Sequence, residues 1–249
     1  MEERKEVEIK HYDQKAEKIS EEYFFEKFKS PELASFKFVY GLLKKRCQDK
    51  IVLDYGCGNG VHALAIAKMG ARKVMAIDLS EKSLEIARRL APNVEFLVMD
   101  CEKMDFPNNY FDVIFDGGIF SSLDLKLAYP ELARVLKPQG LLIGIETFGH
   151  NPIANLYRKF NKLAGKRTSW AVNHILQEKD FKLAENYFQK IEAEYFHLIS
   201  WLAFPFLKLP GGKILLRMSE TADKIFLSIP FFKKYAFKVV FVFYGKKII

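Results

Sequence analysis

The residues best suited to chemistry are three carboxylates and a run of alternate glycines. Val52-Leu53-Asp54-Tyr55-Gly56-Cys57-Gly58-Asn59-Gly60 sets an acid just ahead of three glycines at every second position. Glycine tolerates positive φ and lets a ligand lie against bare backbone. Asp78 closes the next apolar run, and Asp100, followed by Cys101, closes the one after it. Asp54 can accept a hydrogen bond from a ligand amino group. Asp78 is placed to accept both hydroxyls of a ribose. Asp100 and Cys101 stand where the edge of an adenine ring would be met. A pyrophosphate site would instead need G-x-G-x-x-G at a helix N-terminus, and Asp54 beside the turn repels a pyrophosphate while favouring an ammonium. The pattern therefore describes a nucleoside with a cationic, amino-acid-like tail. Singly, each residue has a plainer role: Asp54 or Asp100 as a cap, Cys101 as a small buried apolar group.

These residues need elements to position them. Lys50–Asp54, Lys73–Asp78, Val94–Met99, Phe111–Asp116 and Leu141–Thr147 read as buried strands, with helices at Val61–Met69, Glu81–Leu90 (N-capped by Ser80) and Lys126–Leu136 between them. Apolar strands alternating with helices predict right-handed βαβ units and a parallel sheet covered on both faces. Ahead of them, apolar residues at helical spacing predict a helix over Asp13–Lys29, and Pro31 opens another over Glu32–Arg46. Beyond residue 150 the alternation fails: helices are expected at His150–Lys166 and Glu178–Tyr187, strands at Lys190–Ser200 and Tyr235–Tyr244, and a Phe- and Pro-containing insertion over Ala203–Phe232.

A nucleoside with a cationic amino-acid tail describes S-adenosylmethionine. Val52–Gly60, with Ala76-Ile77-Asp78-Leu79-Ser80, resembles the cofactor signature of class I S-adenosylmethionine-dependent methyltransferases. The resemblance continues through Asp100–Pro107, Phe111-Asp112-Val113-Ile114 and Glu131–Leu142, and covers roughly residues 45–148. It implies an α/β, doubly wound, seven-stranded, mostly parallel sheet with an antiparallel last strand. A helical lid at 1–47, a cofactor-binding core at 48–148 and a substrate cap with final strands and helical insertion at 149–249 would form a single domain. The resemblance also implies roles: Tyr12 in the lid; Asp54, Gly56, Cys57 and Gly58 at the methionine moiety; Asp78 and Leu79 at the ribose; Asp100 and Cys101 at the adenine. Asp112 reads as structural, while Asp116, with Gly117 on the reaction side, could be structural or line the site. S-adenosylhomocysteine would be the product.

Methyl transfer is an in-line displacement, so holding the nucleophile behind the methyl does most of the work, and a base is needed only when the acceptor must lose a proton. His174, in Arg167–Leu176, and His150, after the fifth strand, are the candidate bases; His62 and His197 read as structural. The expected acceptor is a small or lipid-like molecule attacking through oxygen, nitrogen or carbon. Methylation of exocyclic base amines is disfavoured, because Asp116-Gly117-Gly118-Ile119-Phe120 lacks the Asn/Asp-Pro-Pro-aromatic sequence such enzymes present. An RNA or protein methyltransferase, and a non-catalytic subunit of this fold, are the competing classes.

Composition bounds the rest. The chain has 249 residues, 49% of them hydrophobic, enough for a sizeable core. Its three cysteines, Cys47, Cys57 and Cys101, have no metal-ligand spacing, so no metal is expected and a reducing, cytoplasmic setting is. Residues 1–150 carry 22 Lys/Arg against 24 Asp/Glu, whereas residues 151–249 carry 17 against 7. The whole positive excess lies in the last two-fifths. There, Trp201, Phe204, Phe206, Leu207, Phe226, Phe231 and Phe232 mingle with Lys208, Lys213, Arg217, Lys224, Lys233 and Lys234, the composition of an interfacial segment. Segment 203–234 is expected to meet a lipid-linked acceptor, peripherally a membrane surface, or a partner subunit; the plain alternative is a helix packed on the sheet with its lysines outside.

Overall fold

The computed structural model describes residues 2–17, 32–165 and 167–247. The first helix, α1, spans Glu2–Glu17 and α2 spans Ala34–Arg46. There follow β1 (Ile51–Tyr55), α3 (Val61–Lys68), β2 (Lys73–Asp78), α4 (Glu81–Leu90), β3 (Glu95–Val98) and β4 (Phe111–Asp116). After them come α5 (Leu125–Val135), β5 (Leu136–Thr147), α6 (Pro152–Leu163), α7 (Ser169–Asn173), α8 (Glu178–Ala184) and β6 (Phe188–Phe196). A short helical turn at Ser200–Phe206, α9 (Gly212–Leu227), α10 (Pro230–Lys233) and β7 (Lys238–Lys246) complete the order.

The strands form one seven-stranded sheet in the order β3-β2-β1-β4-β5-β7-β6. β1 to β5 run parallel, and β7 is antiparallel to both β5 and β6. The doubly wound, mostly parallel sheet is as expected. Order reverses between β1 and β4, the kind of switch point where ligands bind at the strands' carboxyl ends. The register brings those ends together: Tyr55 pairs with Ile77 on one side and with Asp116 on the other, and Asp78 pairs with Val98. One face packs Val52, Val74, Ala76, Val113, Ile143 and Val240 against α2, α3 and α4. The other buries Leu53, Ile77, Ile114, Leu142 and a Phe-rich group (Phe111, Phe148, Phe188, Phe241, Phe243) beneath α5 and α8. About a third of the chain's phenylalanines lie in that layer.

Several boundaries differ from expectation for local reasons. α1 begins at Glu2 rather than near Asp13; residues 18–29 of the expected helix lie outside the described residues. β5 begins at Leu136 because Leu136 already pairs with Phe111, and a bulge before Val113 absorbs Lys137–Gly140. α6 starts after His150, since the Asn151 side chain accepts from the Ala154 amide at 3.0 Å and Pro152 takes the first helical position. β6 stops at Phe196 because His197 turns left-handed, at φ 63°.

Candidate functional site

The turn after β1 is shaped by its neighbours on β2. The Cys57 amide donates to the Ile77 carbonyl at 2.9 Å and the Gly58 amide to Asp78 Oδ2 at 2.8 Å. Gly56 (φ +71°) and Gly58 (φ +50°) both need the left-handed region. They serve different ends. A Cβ on Gly56 would stand 2.1 Å from Ile119 Cδ1, whereas one on Gly58 would meet no atom within 4 Å. Gly56 lets the turn close on the β4 loop, and Gly58 bares its backbone to an open cleft.

That cleft holds about 260 Å³ and is walled by Gly56, Cys57, Gly58, Asp78, Leu79, Asp100, Cys101 and Gly117, with Tyr12 and other α1 residues above. It falls a little below the ~300–1,000 Å³ usual for pockets that enclose a drug-sized ligand, because α1 lies over it. Asp78 is half-buried at the cleft; besides Gly58, it accepts from the Ser80 amide at 2.9 Å, and desolvation pushes its pKa up against those amides and that of Leu79. Asp100 accepts from the Glu102 amide at 2.8 Å and from Lys5 of α1. Glu102 binds Arg4 at 2.6 Å and Lys5 at 3.1 Å. Ser80 donates to Asp13 at 2.6 Å, Thr168 to Glu8, and the Tyr12 hydroxyl lies 3.5 Å from Ser122. α1 is thus tied to both sides of the cleft.

Of the residues singled out from sequence, two lie beneath the wall rather than on it. Asp54 is 1% exposed, neither oxygen has a hydrogen bond of good geometry, and burial pushes its pKa up to about 8 against the nearby Ala63 amide. Asp116 is fully buried; its Oδ1 accepts from the Gly118 and Ile119 amides, each at 3.0 Å, and burial, then the nearby Glu146, raises its pKa well above normal. It therefore holds the turn that carries Gly117 to the cleft. Glu146 assists from β5, accepting the Phe120 amide at 2.6 Å; burial raises its pKa to about 7. Lys238 of β7 is held down to about 8 by burial.

Neither expected base reaches this cleft. His174 is exposed, stacks on Trp170 with ring centroids 3.6 Å apart, and lines an adjoining cavity of about 440 Å³ with Trp170, Asp180 and Leu183. Leu123 borders both cavities. His150 accepts weakly from the Glu178 amide at 3.4 Å, away from either. His197 is structural as expected: it is buried between Ser35 (2.9 Å) and Ser200 (2.8 Å), and burial holds its pKa down to about 3. His62 does line the cleft, bonded to the Tyr40 hydroxyl at 2.8 Å. The sequence reading missed Arg4, Lys5 and Glu102. The alternating charges of residues 2–10 were the available signal, but nothing local says that they cross to Asp100.

The residues fit a ligand of the expected shape: bare backbone at Gly58, carboxylates on two successive strand ends, and beneath them a buried carboxylate with no hydrogen bond of good geometry. Residues 52–140 match the family model of a methyltransferase domain. A demethylmenaquinone methyltransferase of Chlorobaculum tepidum is 42% identical over 96 residues, which are 38% of this chain and 40% of that protein. One of Staphylococcus aureus is 29% identical over 179 residues, 70% of this chain and 67% of that one. Over its best-matching stretch the chain spans about two-fifths of the Chlorobaculum relative's length. The solved structure of Haemonchus contortus phosphoethanolamine N-methyltransferase 2 with S-adenosyl-L-methionine superposes with a TM-score of 0.60 at 17% identity, over 85% of this chain and 53% of that one.

Proposed function

We propose that this chain, a class I methyltransferase by its domain and its fold, transfers a methyl group from S-adenosylmethionine to a small, lipid-like acceptor of the demethylmenaquinone kind. The observation that carries the reading is the Gly58 turn, whose bare backbone faces an open cleft and hydrogen-bonds to Asp78 from the next strand end. Bound there, S-adenosylmethionine supplies an electrophilic methyl on a sulfonium.

The chain's own residues do the rest. Asp78 and Leu79 take the ribose, Asp100 and Cys101 the adenine, and Gly56, Cys57, Gly58 and Gly117 the methionine side. Asp54 sets a negative charge beneath the ammonium, Asp116 fixes the turn bearing Gly117, and Tyr12 closes the cleft from above. The cavity across Leu123 is where the acceptor fits, with His174 on its wall as the group that takes a proton from an acidic hydroxyl. His150, outside both cavities, orients the segment leading into α8. Holding the acceptor in line with the methyl and keeping water out is worth up to ~7–11 kcal/mol. The demethylmenaquinone kind of acceptor is favoured by the names of the relatives.

A calorimetric titration with S-adenosylmethionine tests the cofactor, with NAD as control. Saturable binding, weakened at least about tenfold in Asp78→Ala (roughly 1.4 kcal/mol) and absent for NAD, is expected. A wild-type chain that neither binds nor releases a nucleoside on denaturation would sink the proposal. Turnover with a demethylmenaquinol, lower in kcat for His174→Ala at unchanged cofactor affinity, tests the acceptor.

A further inference from the structure

The carboxyl rim of the sheet carries an apolar and basic surface that the cofactor site does not use. β5 ends there at Thr147, β6 at Phe196, and β7 starts there at Lys238; Lys238 pairs with both residues. Everything these ends launch is on that rim: α6, the Ser200–Phe206 turn, α9 and α10. The Asn151 amide donates to the Tyr235 carbonyl at 2.8 Å, and Arg158 lies over the Phe237 ring at 5.3 Å, so α6 adjoins the segment leaving α10.

Along α9, Leu216, Asp223 and Leu227 point inward. At 100° per residue, Arg217 and Lys224, with Lys213 paired to Glu32 at 2.7 Å, fall on one flank and Ile214, Met218 and Ile225 on the outer side. The outer residues are exposed: Met218 by 68% and Ile225 by 67%. Both acids of α9 are turned away. Asp223 is buried, accepting the Ile199 amide at 2.8 Å and the Ser200 amide at 3.1 Å, and Glu220 accepts the Ala34 amide at 2.8 Å. α6 and α10 contain no acid at all, and α6 exposes Ile153, Leu156, Phe160 and Leu163. Yet among the described residues no helix is long and apolar enough to cross a membrane.

We propose that α6, α9 and α10 form a docking face for the surface of an anionic phospholipid bilayer, the apolar stripe entering the acyl boundary and the basic flank meeting the headgroups. The charge argues for this occupant. Basic side chains beside an apolar stripe match an anionic interface, whereas a twofold contact with a second copy would set the same basic flank against itself. The face stands independently of the acceptor's identity, and places the carboxyl rim, where both cavities lie, toward the bilayer.

Co-sedimentation of the full chain with phosphatidylcholine vesicles, with and without phosphatidylglycerol, tests it without any methyl transfer, so its outcome and that of the activity assay are read separately. Pelleting with the phosphatidylglycerol vesicles is expected, weakening as salt rises. Met218→Glu/Ile225→Glu should reduce it at least about tenfold, and Arg217→Glu/Lys224→Glu by a similar factor. All four side chains are exposed, so the thermal midpoints should stay near wild type. No pelleting with phosphatidylglycerol vesicles, or pelleting unchanged by both variants, would overturn the proposal. So would a dimer in sedimentation velocity that Met218→Glu/Ile225→Glu turns into a monomer while the wild type ignores lipid.

Discussion

The part of the chain that ends at β5 and the part that follows it differ in how much apolar surface they leave exposed, although β6 and β7 of the later part still feed the core. Up to Thr147, large apolar residues go into two layers against the sheet, and charges are balanced. Beyond it, helices are amphipathic but many expose an apolar side. Among the described residues, fifteen of the eighteen exposed large apolar side chains lie at Ile153 or later. Isolated exposed apolar residues are ordinary, but a concentration on one rim marks a surface with work to do. The contrast separates a turn closed by its neighbours, Gly56 against Ile119 and Gly58 on Asp78, from helices that leave the sheet and expose their apolar sides.

The sharpest way to break that contrast is to crowd the rigid half. Gly56→Ala would force a non-glycine residue to φ +71° and drive its Cβ to 2.1 Å from Ile119. Left-handed strain costs ~1–2 kcal/mol and overpacking another ~1–3 kcal/mol. Chemical denaturation should therefore show a loss of about 2–5 kcal/mol. A loss below about 1 kcal/mol would mean that Ile119 yields and the turn is not rigid. Gly58→Ala is the smaller companion. Its Cβ meets nothing, so strain alone, ~1–2 kcal/mol, should appear in stability, while S-adenosylmethionine affinity falls about tenfold because the methyl fills the cleft. Normal binding by the Gly58→Ala variant would show that the ligand does not lie against this backbone.

The same contrast explains what could be read from the sequence. The strand–turn–helix units are local: Asp54, the alternate glycines, Asp78 and Asp100 announce themselves because each lies at or within a few residues of a strand's carboxyl end. The parallel sheet followed from the same rhythm; the antiparallel last strand came only from the family resemblance, and the strand order only from the structure. The positions of Asp54, one residue before the end of β1, and of Asp116, at the end of β4, under the wall did not, since the turns and helices packed around those strand ends decide what covers them. Arg4 and Lys5 reach Glu102 and Asp100 across nearly a hundred residues, and Glu146 reaches Phe120 from another strand. Contacts of that span leave no periodic trace. The cap helices were visible as amphipathic segments, but not which of their faces meets protein.

Asp54 gives a pH test. Unfolded, an aspartate titrates near ~3.9; burial pushes it up to about 8 here. Between those values the unfolded chain has released the proton and the folded one retains it. The stabilisation from this group is therefore complete below about pH 4 and declines as pH rises through about 8, opposite in sign to a salt-bridged carboxylate. A cationic tail bound above it favours the ionised form, so S-adenosylmethionine binding at neutral pH should release a fraction of a proton. Titrations in phosphate and in Tris would report that release as a difference in apparent enthalpy, and Asp54→Asn should abolish it. Equal enthalpies for the wild type in both buffers would separate Asp54 from the ligand.

The smallest effect is expected where the exposed surface is largest. Ile225→Ser removes an apolar side chain that is 67% exposed, from the outer side of α9. In the sheet half, deleting a buried side chain of that size costs roughly 2–5 kcal/mol, because the transfer loss is joined by a cavity. Here neither term applies: among the described residues the group is exposed and none packs over it to leave a void. Stability should shift by no more than about 0.5 kcal/mol, and cofactor affinity should not change. A cost near that of a buried residue would mean that the outer side of α9 is covered in solution, as by a second copy, and the exposed stripe would lose its claim to be a free surface. A silent substitution in stability, paired with weaker vesicle binding, would instead confine the residue's effect to the interface it serves.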